Sequence, residues 1–185
     1  MLNIYMANLG KYNEGKLVGE WLTLPCEESE IQVLFENIGL GEIDIENGEY
    51  THGIEENGVF YEEYAIHDYE TDIEGLEISE YSSISELNEI AEKLEELEEY
   101  ELKVVNALIE WGVYSDIFEA IENIDDYILY EHINNNYDLG YYWIEESGCY
   151  EIPEYIKGYI DYEAFGRDTE MNGGGFFSQY GWIEG

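Results

Sequence analysis

The chain has 185 residues, of which 45 are Asp or Glu and only six are Lys or Arg, giving a formal net charge of −39. Charge of that density excludes nucleic acid and anionic membrane surfaces as partners and points to a strongly basic protein surface. Hydrophobic residues at 45% and aromatics at 16% nevertheless place the chain well above the disordered regime.

In chain order, Leu2 to Ala7 and Leu17 to Leu24 read as strands, and the Gly- and Asn-rich stretch from Asn8 to Gly15 reads as the loop between them. Pro25 ends the second strand. Ile31, Leu34, Phe35 and Ile38 fall at helical spacing after Ser29, with Gly39 as a stop. Residues 42–59 are acidic and broken by Gly48, Gly53 and Gly58, so they read as a loop or extended hairpin; Phe60 to Tyr69 reads as a further strand.

From Ser83 to Asp126 the period turns helical. Ser83 with Glu86 matches a capping box, and Ile84, Leu87, Ile90, Ala91, Leu94 and Leu97 form one apolar stripe. A second helix is expected from Glu98 to Trp111, stopped by Gly112, and a third, capped by Ser115, turns Ile117, Ile121 and Ile124 inward. Tyr127 to Tyr130 reads as a strand. Asp138 caps a helix stopping at Gly148, Pro153 opens another with Ile156 and Ile160 on its buried face, and Phe176 to Ile183 closes the chain as a strand.

The expected fold class is α+β, an elongated chain of three small subdomains. Residues 1–80 form a small antiparallel sheet with a helix, 81–126 a helical region, and 127–185 a mixed sheet and helix region. Elongation separates like charges.

The function lies in the carboxylates. Duplex DNA carries one negative charge per about 1.7 Å of axis, so −39 corresponds to about 66 Å, on the order of 20 base pairs. Glu86, Glu89, Glu92 and Glu96 sit three or four residues apart on the face away from the apolar stripe, which sets neighbours about 4.5 to 6 Å apart along a helix axis. Ordinary solvated faces mix signs, because like charges at this spacing destabilise a helix; here only Lys93 interrupts. The candidate acidic surface comprises Glu62, Glu63, Asp68, Glu70, Asp72, Glu74, Glu86, Glu89, Glu92, Glu95, Glu96, Glu99, Glu119, Glu122, Asp125, Asp126, Glu145 and Glu146.

Other chemistries find little support. Among 45 acids some adjacent pair is inevitable, so paired carboxylates carry no specificity for general acid–base work. Cys26 and Cys149 stand outside any nucleophile motif and are too few for a disulfide scaffold. His52, His67 and His132 are scattered, and the calcium-loop-like run from Asp68 to Asp72 meets Ile73 where the sharp-turn glycine belongs. No catalytic residue, metal ligand, cofactor or small-molecule substrate is expected. The first residues lack a basic, apolar leader and no run is long enough for a membrane span, so the expected location is the cytoplasm.

Three segments carry a resemblance. Asn8 to Trp21, containing Lys11-Tyr12-Asn13-Glu14-Gly15 and then Gly19 and Trp21; Glu63 to Glu70; and Tyr159 to Asp168, containing Tyr162-Glu163-Ala164-Phe165-Gly166-Arg167-Asp168, resemble the ArdA antirestriction proteins. Their order and separation fit over nearly the whole chain. The resemblance implies a DNA mimic carried by mobile elements such as plasmids and conjugative transposons. Such a protein occupies the DNA-binding groove of type I restriction-modification enzymes and pairs through its C-terminal region into a curved homodimer. Lys11, Lys16 and Arg167 fall inside the matching segments, which points to structural work, such as Arg167 pairing with a nearby carboxylate, over contact with a target. A different reading of the same charge, sequestration of another basic protein such as a nucleoid protein or transcription regulator, stays open on sequence.

Overall fold

A computed structural model describes residues 1–44, 50–51, 53–73 and 76–185. The protein is α+β, and its contacts divide it into two units, Met1–Leu97 and Glu98–Gly185. Gly48, His52 and Glu74 lie outside the described residues.

In the first unit β1 (Leu2–Asn8) runs straight into a short helix, α1 (Leu9–Asn13), where composition alone reads a loop. The cause is Asn8, which is fully buried. Its Oδ1 accepts from the Lys11 amide at 2.9 Å and caps α1, while its Nδ2 donates to the carbonyls of Ile38 and Gly39 at 3.1 and 3.2 Å. One amide thus satisfies the start of α1 and the end of the next helix.

After β2 (Gly19–Leu24) comes α2 (Glu28–Ile38), opened by a reciprocal Glu27–Glu30 capping box and closed by Gly39 at φ +79°. Two short antiparallel pairs follow: β3 (Ile43–Asp44) with β4 (Tyr50–Thr51), and β5 (Ile54–Glu56) with β6 (Val59–Tyr61). The second pair turns through Asn57 and Gly58, both at positive φ. The single strand read over Phe60 to Tyr69 is therefore two, because β7 (Tyr64–Thr71) pairs with β1 and β6 with β5.

The main sheet has order β2-β1-β7, antiparallel throughout. One face carries Leu2, Ile4, Met6, Leu22, Leu24 and Ile66, all buried, as are Ile31, Leu34, Phe35 and Ile38 of α2. Phe35 meets Tyr64 edge-on at 5.2 Å. In α3 (Ile84–Glu96) the Ser83 hydroxyl accepts from the Glu86 amide, and Ile84, Leu87, Ile90 and Ala91 are buried as the stripe requires. Burial at this level is worth about 1.5 to 3 kcal/mol for each large side chain.

The second unit begins with α4 (Glu99–Trp111), bounded by a Glu98–Glu101 capping box and by Gly112 at φ +75°. In α5 (Ile117–Glu122) the cap is Asp116, whose carboxylate accepts from the Phe118 amide, one residue beyond the expected Ser115. A 3₁₀ turn (Ile124–Asp126) leads into β8 (Ile128–Tyr130). Asn135 caps α6 (Asn136–Tyr141), and Asp138 reinforces that cap by accepting from Asn135 Nδ2 at 2.7 Å. The helix winds on as a π turn over Tyr142–Glu146, short of Gly148.

Pro153 is the residue before α7 (Glu154–Lys157). This helix is a single turn, too short to present a buried stripe, and Ile156 is exposed. After α8 (Tyr162–Asn172), the expected terminal strand is a hairpin of β9 (Gly175–Ser178) and β10 (Gly181–Glu184) in a sheet of order β8-β10-β9. Trp182 of the central strand sits with Ile133 and Leu139 at the core, flanked by Tyr130, Tyr142, Trp143 and Phe177. No described helix is long and apolar enough to cross a membrane.

Candidate functional site

Burial of the apolar stripe on α3 turns its other face outward, and Glu86, Glu89, Glu92 and Glu96 are all exposed there, with Glu95 exposed in the last turn. Glu62, Glu63, Asp68, Glu70 and Asp72 are exposed in the same unit. In the second unit Glu99, Glu119, Glu122, Asp125, Asp126 and Glu146 are exposed. On α2 and its cap Glu27, Glu28, Glu30 and Glu36 are exposed as well, acids outside the surface expected from sequence. The sequence signal for the first three is the acidic opening of the helix, where negative charge suits the N-terminus.

Glu145 differs from the other candidates. Its carboxylate receives Lys157 Nζ at 2.6 Å and the Tyr162 hydroxyl at 2.6 Å, and its side chain is only 10% accessible. The Lys157 ammonium, then the Tyr162 hydroxyl, hold its pKa below the ordinary carboxylate range, while the bond to Glu145 pushes Tyr162 up to about 12. A depressed carboxylate contributes stability above its unfolded pKa and loses it as pH falls through the folded value. Glu145→Gln is therefore expected to lower the thermal midpoint by a few degrees at pH 7, and the gap to the parent protein should close as pH is taken down through the carboxylate range. Parallel melts at pH 7 and near pH 3 check this; a gap that stays constant would mean the carboxylate charge contributes nothing.

Several of the scarce cations are paired with carboxylates. Lys11 pairs with Glu56 at 3.4 Å and lies over the Tyr61 ring, and Lys16 pairs with Glu14 at 3.0 Å. Lys103 bridges Glu99 and Glu131, and Lys157 bridges Glu145 and Glu154. Glu14 is held below the usual range by Lys16, then Tyr61. Arg167 is exposed and forms no ion pair among the described residues, so the internal Arg167–carboxylate pair expected from sequence is not formed.

The remaining matched residues split between packing and surface. Tyr12 sets its ring edge against His67 at 4.4 Å, Asn13 ends α1, and Gly15 turns the chain at φ +83°. Gly19 admits the Tyr5 ring, and Trp21 lies against Tyr5. In α8 the Ala164 amide donates to the Asp161 cap, Tyr162 packs among Tyr137 and Tyr141, and Phe165 meets Tyr150 edge-on. Asp168 is exposed. Gly140 and Gly166, which the sequence reading did not single out, stand where α6 crosses α8; an isolated glycine inside a helical pattern is the signal that finds them.

Burial, then Glu30 and Glu27, push the Cys26 thiol up to about 11, which leaves it protonated and a poor nucleophile at neutral pH. Among the described residues no group of three His, Cys, Asp or Glu side chains is arranged to hold a metal ion. What this arrangement does is present carboxylates to solvent, with Lys11, Lys103 and Lys157 partly covered against carboxylates of the same chain.

A family model described as antirestriction protein (ArdA) matches residues 4–184. No curated protein matches the chain.

Proposed function

The chain belongs to the ArdA antirestriction family, and from that premise we propose that it is a DNA mimic that occupies the DNA-binding groove of a type I restriction-modification enzyme. The observation that carries this reading is the separation of charge signs. Exposed carboxylates on α3 recur at a spacing of about 4.5 to 6 Å along the axis, on the order of the phosphate repeat, while Lys11, Lys16, Lys103 and Lys157 are each tied to carboxylates of the same chain. Lys and Arg side chains that normally hold phosphates meet Asp and Glu instead, and counterions leave both surfaces. Occupancy blocks restriction, and modification with it, because both need DNA in the same groove.

In this reading the protein is an inhibitor and not an enzyme, and it needs no cofactor or small-molecule substrate. It works in the cytoplasm on behalf of incoming mobile DNA. The rest of the proposal is a homodimer joined through the C-terminal region, with each protomer built of subdomains 1–80, 81–126 and 127–185. Two protomers then carry the phosphate charge of about 40 base pairs.

The test is competition. A type I methyltransferase core bound to labelled DNA is titrated with the protein, and the DNA is expected to be released in proportion to protein bound. If the enzyme keeps its DNA while the protein captures only a nucleoid protein or a transcription regulator, the reading is wrong and sequestration of that partner replaces it.

A further inference from the structure

The β2-β1-β7 sheet has a second face, away from its buried apolar side chains. The antiparallel register sets Trp21, Tyr5 and Asp68 in one row across the three strands, and Thr23, Asn3 and Glu70 in the next. Trp21 meets Tyr5 at 5.3 Å with the rings inclined by 61°, and 44% of Trp21 stays exposed. A Cβ at Gly19 would come within 2.9 Å of the Tyr5 ring and 2.5 Å of the Met6 carbonyl oxygen, so the bare glycine is what lets Tyr5 lie across β2. A register shift between Tyr5 and Met6 leaves His67 as the extra residue of β7 beside Asp68, and the Tyr12 ring sits against it. Asp68 and Glu70 are both exposed, and neither has a cation partner among the described residues.

An indole left open on a chain of net charge −39 is not explained by solubility or by core packing. The exposed Asp68 carboxylate lies across Tyr5 in the same row, its Oδ1 accepting from the Tyr69 amide at 2.9 Å, with no cation paired to it among the described residues. With that carboxylate the indole has a definite chemical complement. A guanidinium is planar and weakly hydrated, stacks on an aromatic face, and offers parallel N–H groups that match a carboxylate in bidentate fashion. An ammonium has no plane to stack and is more strongly hydrated. Arginines that read DNA make the same two-pronged contact with guanine O6 and N7; a carboxylate beside an aromatic ring offers them an acceptor pair together with a stacking surface.

We propose that Trp21, Tyr5 and Asp68 form a guanidinium-binding site that docks one arginine of the basic partner, with Glu70 adding field from the neighbouring row. The site rests on the proposed function and deepens it: besides phosphate-like charge, the protein presents a counterpart to a base edge. Aromatic and arginine anchors of this kind tend to dominate interfaces whose remaining charges each contribute little.

The experiment measures affinity for the type I methyltransferase core by DNA displacement at one fixed salt concentration. Trp21→Ala and Asp68→Asn are each expected to weaken binding by about tenfold. The double variant should lose much less than a hundredfold, because both act on one arginine. Trp21→Phe should retain most of the affinity, and Thr23→Ala on the same face should change it less than twofold. Single changes below twofold, or losses that simply multiply, would overturn the site. Asp68 is exposed and Asn keeps an Oδ1 to accept from the Tyr69 amide, so that arm reads the site even if Trp21→Ala loosens the sheet. Failure of the unaltered protein to displace DNA would sink the parent reading; displacement that is indifferent to Trp21 and Asp68 would sink only this one.

Discussion

Gly166→Ala is expected to cost about 3 kcal/mol and to lower the thermal midpoint of the 185-residue chain by roughly 6 to 12 °C. Gly166 is buried on α8, and a Cβ there would overlap the Asn136 carbonyl oxygen at the start of α6. Gly140 reciprocates from α6, since a Cβ on it would run into the Tyr162 carbonyl oxygen. Neither obstacle is the far end of a flexible side chain; both are backbone, and one helix must move bodily to make room. In an open helix the same substitution gains about 1 kcal/mol, because Ala loses less chain entropy than Gly. The overlap is expected to outweigh that gain. Gly158, at φ −67° with nothing near its Cα, supplies the internal control: Gly158→Ala should be neutral or stabilise by up to about 1 kcal/mol. Thermal melts of the two variants check the sign of each. Equal midpoints would mean that α6 and α8 do not approach as closely as the structure has them.

That crossing also shows where the sequence stopped being informative. Helices whose apolar period was continuous and whose ends carried glycine were legible to within a residue or two: α2 with Gly39, α4 with Gly112, α3 with its Ser83 cap. Local signals sufficed there because capping and burial of one face are local matters. Where the deciding partner is distant in sequence, the reading failed. The segment Asn8 to Gly15 looks like a loop until Asn8 is seen to hold Ile38 and Gly39, 30 and 31 residues away. Phe60 to Tyr69 looks like one strand because nothing local says that its two halves pair with β5 and β1.

The candidate surface was legible in the same partial way. Exposure of the α3 glutamates follows from helical period alone. The inward use of Glu145 follows from Lys157 and Tyr162, twelve and seventeen residues further on. Aromatic composition foretold ordering, but the placement of Trp21 beside Tyr5 and Asp68 needed the register of three strands.

Affinity for the restriction enzyme should collapse with salt and should resist single substitutions among the α3 glutamates. A ligand that neutralises six to ten phosphates loses about 10³ to 10⁵ in affinity between 50 and 200 mM salt. A protein that takes the same cationic groove by the same carboxylate contacts should lose a factor of that order. Each exposed ion pair is worth only about 0.2 to 1 kcal/mol, because water and salt screen it and two long side chains must be ordered. Glu→Gln at any one of positions 86, 89, 92, 95 or 96 should therefore weaken inhibition no more than about fivefold. Replacing all five removes about 1 to 5 kcal/mol, a loss ranging from several-fold to a few thousandfold, and should flatten the dependence of log affinity on log salt. The block leaves Ile84, Leu87, Ile90 and Ala91 in place, and it relieves like-charge repulsion along α3, so the helix should melt no earlier than in the parent. That combination separates charge from folding: a protein at least as stable that inhibits far less. A salt response that stays flat, or one glutamate whose loss alone abolishes binding with the fold intact, would show that a few apolar or geometric contacts carry the complex and that the acidity serves some other end.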